Sequence, residues 1–272
     1  MKIVAAINGS LVAEGSALLA LYYAKEQGLD LHLLHVKNHK DALDKVEKSI
    51  FEIKKVAQQE GVMCDAVFLK GHHRDLIPDY LKNLHVDTLF CSTRMRKRFM
   101  TDSFSEHLLK MHLNTNIAVV RIVHMHSFKD INAILLPIKT SKLSVKKFAF
   151  VSTLASFYKS DVEVFSISLT SKSKLAKFDI TALRSQFSHI DFELRHYKDL
   201  SRLMPFKLKV KHEFAVSETE AILKHMAASD AQLVIIGAKR FSFFSFLTPE
   251  KPIERLMRET SRNLIAYYPK ED

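Results

Sequence analysis

The sequence predicts an α/β protein built from two tandem doubly wound domains, each with a five-stranded and mainly parallel sheet. First, apolar runs that resemble strands alternate with helical patterns, and this order is typical of parallel sheets with right-handed crossovers. Second, the chain contains an internal repeat: residues 3–7 correspond to residues 134–138, and residues 116–118 to residues 263–265. Third, residues 231–268 follow the order strand, loop, helix and strand, and their first apolar run is typical of a strand buried on both faces. Domains of this kind are Rossmann-like.

The repeat also predicts where one domain ends and the next begins. Its offset is 131 residues near the start of each copy and 147 residues near the end, so the second copy is the longer one. A duplication with one insertion accounts for both offsets. We therefore expect a first domain over residues 1–126 and a second domain over residues 127–272, with an insertion around residues 174–206.

The elements of the first half follow from local patterns. Apolar runs predict strands over residues 2–7, 29–36, 63–70, 88–91 and 117–123. Apolar residues at three-four spacing predict helices over residues 16–27, 40–60, 75–84 and 103–112. Gly28 and Gly61 are expected to end the first two helices, and Ser103 begins a Ser-x-x-Glu capping box at the last one.

The second half repeats this order with one irregular stretch. Strands are predicted over residues 131–137, 162–169, 207–216, 233–236 and 263–268. Helices are predicted over residues 143–159 and 217–228 and within residues 252–262. In the irregular stretch we expect a helix over residues 180–187 and an extra strand over residues 191–197.

Composition limits the class of protein. Apolar residues make up 47% of the 272 residues, and the formal net charge is +11, which favours anionic partners. No apolar run reaches the roughly 18 residues of a membrane helix, and the start of the sequence has no signal-peptide pattern. Cys64 and Cys91 both lie in apolar segments and are expected to be buried thiols. These features predict a cytoplasmic protein that does not span a membrane.

The order of these motifs resembles that of the universal stress protein family in its tandem two-domain form. The resemblance covers nearly the whole chain and rests on the first strand with its Asn8-Gly9-Ser10 turn, the second strand at residues 33–36, Gly71 followed by a helix, and the helix start at Ser103. It implies that two five-stranded domains pair through their last strands, residues 117–123 with residues 264–268. It also implies a role in stress survival or signalling, with ATP bound in one subgroup.

The ATP-binding subgroup uses an acidic residue after its first strand and a loop of the form Gly-x-x-Gly, nine residues, Gly and Ser or Thr. Glycines in such a loop let backbone N–H groups approach the phosphates beside a helix start. In the first half, Asn8 stands at the acidic position, and Ser92 and Met95 stand at glycine positions. Only Ser103 keeps the pattern, and Asp102 would place a negative charge beside the phosphates.

The second half keeps the spacing of the loop but changes its chemistry. Gly237 matches the first glycine, whereas Arg240 and Glu250 replace the other two, Lys251 replaces the Ser or Thr, and Lys139 stands at the acidic position. Bulky side chains keep the backbone away from a phosphate. Both halves are therefore predicted to have lost the usual ATP mode, and no cofactor is predicted.

Basic residues define a candidate anion site in each half. One interpretation is a solvated basic rim, and the other is a site in which Arg and Lys side chains replace backbone N–H groups. The candidate ligand-binding residues are Asn8, Ser92, Arg94, Arg96, Ser103, Lys139, Gly237, Lys239, Arg240 and Lys251.

The loop after Gly237 is unusually apolar, with four aromatic residues at Phe241, Phe243, Phe244 and Phe246. It is expected to pack against the other half or a second copy, or else to line a site for an apolar ligand.

Several classes of function are not expected. The 14 His residues do not form a ligand set at metal-site spacing, so no metal is predicted. No catalytic constellation and no nucleic-acid motif is present.

The sequence thus predicts a non-enzymatic stress protein that binds an anionic small molecule or a protein partner. Two alternatives remain: a nucleotide-binding and weakly ATP-hydrolysing protein that uses Lys and Arg in place of glycines, and a regulatory module for a transporter or signalling protein. An intrachain domain pair is expected, and a homodimer would need another surface.

Overall fold

Within the residues that the structure describes, ten apolar segments form strands, and all of them join one sheet. The computed structural model describes residues 1–37, 42–71, 73–93, 104–111, 113–128, 130–138, 144–175, 179–238 and 252–270. Strands and helices alternate within these ranges, so at least one helix connects each strand of a half to the next strand and covers one face of the sheet.

The first half contributes five strands and four helices, in the order β1 (Lys2–Ala6), α1 (Leu11–Gln27), β2 (Asp30–Lys37), α2 (Leu43–Gln59), β3 (Cys64–Lys70), α3 (His73–Lys82), β4 (Val86–Thr93), α4 (Phe104–Lys110) and β5 (Asn116–Arg121). A short 3₁₀ helix, Met125–Phe128, connects it to the second half.

The second half repeats the order with a longer connection between its second and third strands. Its elements are β6 (Ala133–Ile138), α5 (Val145–Tyr158), β7 (Asp161–Leu169), α6 (Lys172–Leu175), α7 (Ile180–Glu193), α8 (Arg195–Ser201), β8 (Leu208–Ala215), α9 (Glu218–Ala228), β9 (Leu233–Gly237), α10 (Pro252–Glu259) and β10 (Asn263–Tyr268).

The strands lie in the order β3-β2-β1-β4-β5-β10-β9-β6-β7-β8. All neighbouring strands are parallel except β5 and β10, which pair antiparallel from Leu264 with Arg121 to Tyr268 with Ile117. The predicted fold class is therefore confirmed, including the pairing through the last strand of each half. The boundary between residues 126 and 127 stays a prediction.

Two apolar cores lie on opposite faces of the sheet. One core contains side chains of α1, α2, α5, α7 and α8, and the other contains side chains of α3, α4, α9 and α10. Phe150 of α5 joins the halves, because its ring stacks on Tyr267 at 4.3 Å and also contacts Tyr23 and Phe90 of the first half. The helices α1 and α5 therefore pack against each other across the two halves.

The predicted strand over residues 191–197 is wrong, because this segment is helical. Ile190, Leu194 and Tyr197 are all buried, with at most 6% of their surface exposed. Their spacing of four and three residues is the period of a helix that packs one face on the sheet. The helices α7 and α8 thus lie where the single helix α2 lies in the first half.

The first helix begins five residues earlier than predicted. Ser10 is its N-cap and accepts a hydrogen bond from the backbone N–H of Ala13. Gly15 lies inside this helix, although glycine is a poor helix former. A β-carbon on Gly15 would stand 2.5 Å from Cδ1 of Ile122, so the glycine allows the helix to approach the end of the last strand of this half.

Candidate functional site at the carboxyl ends of β6 and β9

Each half contains a point at which the strand order reverses. The chain crosses from β1 to β2 on one side and later from β3 to β4 on the other, and β6, β7 and β9 repeat this arrangement. In open α/β sheets, ligands bind beside the carboxyl ends of the two strands that flank such a point. The two candidate sites therefore lie at the ends of β1 and β4 and at the ends of β6 and β9.

Of the ten candidate ligand residues, the described part of the chain contains Asn8, Ser92 and Gly237, and each lies at such a strand end. The others lie outside the described residues, so their convergence stays a prediction. They are Arg94, Arg96, Ser103, Lys139, Lys239, Arg240 and Lys251, and the same holds for Phe241, Phe243, Phe244 and Phe246.

In the first half, the side chain of Asn8 is engaged in its own turn. Its Oδ1 accepts hydrogen bonds from the backbone N–H of Ser10 at 3.1 Å and from the Ser10 hydroxyl at 2.7 Å. Gly9 has φ of +73°, and a β-carbon there would stand 2.9 Å from the backbone of Lys45 and Val46. Asn8-Gly9-Ser10 thus forms a tight turn that packs on α2 and caps α1, and Asn8 carries no negative charge.

In the second half, β6 and β9 pair over a shorter length than β1 and β4 do in the first half. The pairing of β6 with β9 covers only Ile134 and Leu135, whereas β1 pairs with β4 from Lys2 to Ala5. Pro137 follows in β6, and proline has no backbone N–H to continue a ladder. The carboxyl ends of β6 and β9 are therefore open to a side chain from another element.

Lys147 of α5 enters this opening. A β-carbon on Gly237 would stand 2.5 Å from Cδ of Lys147 and 3.2 Å from its Nζ, so the aliphatic part of the lysine lies directly on the glycine. The ammonium donates a long hydrogen bond of 3.5 Å to the carbonyl oxygen of Pro137. Lys147 thus places a positive charge between the ends of the two strands.

Burial of this lysine changes its ionisation. Removal from water lowers the pKa of Lys147 from 10.5 to about 8, and the Glu218 carboxylate opposes this shift. The ammonium is therefore still the main form at neutral pH, although it has lost most of its hydration. An anion that replaced the lost water would be held by a partly desolvated charge, where electrostatic attraction is stronger than at the surface.

The sequence-based search missed Lys147. The signal that could have identified it is the comparison of the two halves, because α1 begins at Leu11 and α5 begins at Val145. The third residue of α1 is Ala13, which is buried, whereas the third residue of α5 is Lys147. A long cation at a position where the other copy has a buried alanine indicates a local change of chemistry.

Neither cysteine lies in a setting that activates a thiol. Burial raises the pKa of Cys91 to about 12 and that of Cys64 to about 11. Within the described ranges, no group of three His, Cys, Asp or Glu side chains could hold a metal ion. None of the helices in those ranges has the length and apolar character needed to cross a bilayer.

The structure is similar to several solved proteins over nearly its full length. A universal stress protein from Archaeoglobus fulgidus DSM 4304 has a TM-score of 0.63 and 13% identity, and the match covers 99% of this chain and 98% of that chain. A protein of unknown function from Pseudomonas aeruginosa PAO1 has a TM-score of 0.61 and 12% identity, with 99% and 92% covered. The cytoplasmic domain of a prokaryotic cation chloride cotransporter has a TM-score of 0.61 and 12% identity, with 99% and 95% covered.

No protein-family model and no curated protein sequence matches this chain. The likeness thus lies in the arrangement of ten strands and in the pairing of the two halves, whereas few residues are shared with these structures. The chain has the fold of the tandem universal stress proteins, as the order of its sequence motifs predicts.

Proposed function

We propose that the chain is a non-enzymatic regulatory protein of the universal stress protein type, which binds an anionic ligand at the carboxyl ends of β6 and β9. In this proposal, ATP in the usual glycine-lined mode is no longer a ligand. The observation that carries the proposal is the position of Lys147, whose aliphatic part lies on Gly237 and whose ammonium points between the two strand ends.

A phosphate loop needs bare backbone at its glycines, because the N–H groups must approach the phosphate oxygens closely. At Gly237 this approach meets the methylene groups of Lys147, since Cδ lies 2.5 Å from where a β-carbon would stand. The sequence supports the same conclusion, because Arg240 and Glu250 stand at the other two glycine positions. Because Lys147 covers the glycine, a single positive charge takes the place of the backbone N–H groups of a phosphate loop.

The same ammonium is suited to an anion. Among the described residues it donates one hydrogen bond, to the carbonyl oxygen of Pro137 at 3.5 Å, which is long for an N–H···O contact. Hydrogen bonds that include an ion are stronger than those between neutral groups. An anionic ligand would therefore bind the ammonium more strongly than the neutral carbonyl oxygen of Pro137 does. The net charge of +11 would attract such a ligand at long range.

A second candidate function is that of a regulatory module for a transporter. It is favoured by the similarity to the cytoplasmic domain of a cation chloride cotransporter, which covers 95% of that domain. In that case the anion site would report a ligand to the partner protein. A homodimer and the protein partner itself stay predictions.

Thermal unfolding of the full chain tests the anion proposal. The melting temperature is measured with millimolar Mg-ATP, ADP, AMP, inorganic pyrophosphate and citrate, for the wild type, Lys147→Met and the control Lys224→Met, which removes an exposed lysine of α9. A ligand at about one hundred times its Kd stabilises by about 2.7 kcal/mol, which raises the melting temperature by a few degrees. We expect at least one anion to raise the melting temperature of the wild type and the control, but not that of Lys147→Met.

Three results would contradict the proposal or a part of it. If no anion raises the melting temperature of the wild type, the crevice does not hold an anion. If Mg-ATP raises it equally in the wild type and in Lys147→Met, nucleotide binds by a mode that does not need this lysine. Release of inorganic phosphate from ATP at a rate above that of the buffer would contradict the non-enzymatic part of the proposal.

A further inference from the structure

A groove lies at the outer edge of the second half, where α7 and α8 cover the edge strand β8. Its volume is about 510 Å³, within the range of roughly 300–1,000 Å³ that is usual for small-molecule sites. Val210 and His212 of β8 form its floor, and side chains of the two helices form its walls. In the sheet, β7 lies between β8 and the strand β6 that borders the crevice of Lys147.

The walls of the groove are apolar. Ile190 and Leu194 are buried at its base, whereas Phe187 and Phe192 remain 51% and 66% exposed. Single exposed apolar side chains are common, but two phenylalanines around one concave surface indicate a place for an apolar ligand. An unbranched hydrocarbon chain could lie along these rings and release the water that now covers them.

The charges of the groove leave one cation in excess. Lys198 pairs with Asp191, so these two charges compensate each other. The guanidinium of Arg195 lies 5.3 Å from the ring centroid of Phe192 and makes no ion pair with any side chain that the structure describes. The planar guanidinium can hold a carboxylate through two parallel hydrogen bonds.

We propose that this groove binds a single-chain fatty carboxylate, with its carboxylate on Arg195 and its hydrocarbon chain along Phe187, Ile190 and Phe192. A monoanionic amphiphile matches both the apolar walls and the guanidinium of Arg195, which has no ion-pair partner among the described residues. The groove is built from the longer connection of the second half, whereas the first half has the single helix α2 at the corresponding place. The proposal does not depend on the anion site at Lys147.

A peptide that extends the sheet at β8 fits the structure less well. Lys209 and Lys211 lie along this edge strand, where they pair with Asp161 and Glu163 of β7. Lysines on an edge strand disfavour the addition of another strand. The groove faces α7 and α8 rather than the free backbone edge, which favours a small ligand over an added strand.

Equilibrium dialysis of the delipidated full chain against radiolabelled dodecanoate, kept below its micelle concentration, tests the proposal. We expect one saturable site. Arg195→Gln should weaken binding roughly ten-fold, as for the loss of one charge-assisted hydrogen bond. Arg184→Gln removes an exposed arginine of α7 that does not line the groove, and it should have no effect. Phe192→Ser should weaken the binding of both dodecanoate and uncharged dodecanol, because it removes an apolar side chain from the wall of the groove.

Three results would overturn the proposal. The first is the absence of saturable binding by the wild type. The second is an equal loss of affinity in Arg195→Gln and Arg184→Gln, which would indicate general attraction to a basic surface. The third is loss of dodecanoate binding in Lys147→Met, which would place the ligand in the other crevice. Circular dichroism checks that each variant keeps the helix content of the wild type.

Discussion

Asn116 and Asn263 make equivalent hydrogen bonds to the backbone at opposite ends of the antiparallel strand pair that joins the two halves. Oδ1 of Asn263 accepts hydrogen bonds from the backbone N–H of Val123 and His124, at 2.8 and 2.9 Å. Oδ1 of Asn116 accepts one from the backbone N–H of Lys270, at 3.0 Å. Each asparagine begins the last strand of its half and binds the chain that leaves the last strand of the other half.

Asn263→Ala should therefore destabilise the protein more than Asn116→Ala. Asn263 is fully buried and also donates to the carbonyl oxygen of His124, so its loss leaves three backbone groups without a partner. Asn116 is only half-buried, and the carbonyl oxygen of Asp87 to which it donates also accepts a hydrogen bond from Thr115. We expect a loss of about 2–4 kcal/mol for Asn263→Ala and about 1 kcal/mol for Asn116→Ala, measured by urea unfolding. Equal losses in the two variants would contradict this explanation.

Lys147→Met should stabilise the protein at pH 7. The folded state holds a desolvated ammonium, and methionine has a similar length without the charge, so we expect a gain of about 1–3 kcal/mol. Because the folded-state pKa is lowered, the unfolded chain keeps a proton between pH 8 and 10.5 that the folded chain has lost. The stability of the wild type should thus rise relative to the variant over this window.

Urea unfolding at pH 7, 8.5 and 10 measures this difference. Lys224→Met serves as the control, because it removes an exposed lysine of α9. The difference in stability between this variant and the wild type should not change with pH. A difference between Lys147→Met and the wild type that stays constant from pH 7 to pH 10 would show that the lysine is not desolvated.

Gly237→Ala should displace Lys147. The new β-carbon would meet Cδ of the lysine at 2.5 Å, and this flexible side chain can move into solvent. We expect the stability to change by less than about 1 kcal/mol, because the cost of the contact is offset by rehydration of the ammonium. The pH dependence between pH 8 and 10.5 should disappear, which urea unfolding at those values would detect. If that dependence persists in Gly237→Ala, the lysine has another position.

His32 should make the protein less stable in mild acid. Lys2 donates a hydrogen bond to Nε2 at 2.7 Å, so the imidazole is neutral, and Nδ1 donates to the hydroxyl of Tyr80 at 2.7 Å. Burial, and then the Lys2 ammonium, lowers the pKa of His32 below its ordinary value of 6.5. As pH falls below 6.5, the unfolded chain takes up a proton before the folded chain does, so the free energy of unfolding decreases.

His32→Gln should reduce the loss of stability between pH 7 and pH 5, measured by urea unfolding. The exposed His126 provides the control, because His126→Gln should follow the wild type over the same range. Should His32→Gln lose as much stability as the wild type, another group is responsible for the acid sensitivity.

Phe150→Ala should weaken the contact between the halves as well as the core. The ring is 1% exposed and contacts aromatic rings on both halves, so we expect a loss of about 3–5 kcal/mol. Phe148→Ala is the comparison, since its described ring contact is with Tyr197 of the second half. Limited proteolysis should cut Phe150→Ala between the halves sooner than Phe148→Ala, and equal rates would contradict a joining role for Phe150.

The order of strands and helices could be predicted from the sequence, because local patterns determine it. Apolar runs and three-four spacing indicate where an element lies, and the repeat of residues 3–7 at residues 134–138 indicates that the order occurs twice. The residue types at the loop positions, such as Arg240 and Glu250, can likewise be read without a structure. The strand predicted over residues 191–197 was wrong, because a short apolar run can suit either a strand or a helix.

Only the tertiary structure decided which distant residues meet. Lys147 lies on Gly237 because α5 packs beside the ends of β6 and β9, and Pro137 leaves those ends open. Arg195 carries the excess positive charge of the groove because the charge of Lys198 is compensated by Asp191. Contacts of this kind join residues far apart in sequence or on different faces, so no local period encodes them. The sequence by itself determined the repeated α/β order and the altered loop, and packing determined where charge and apolar surface meet.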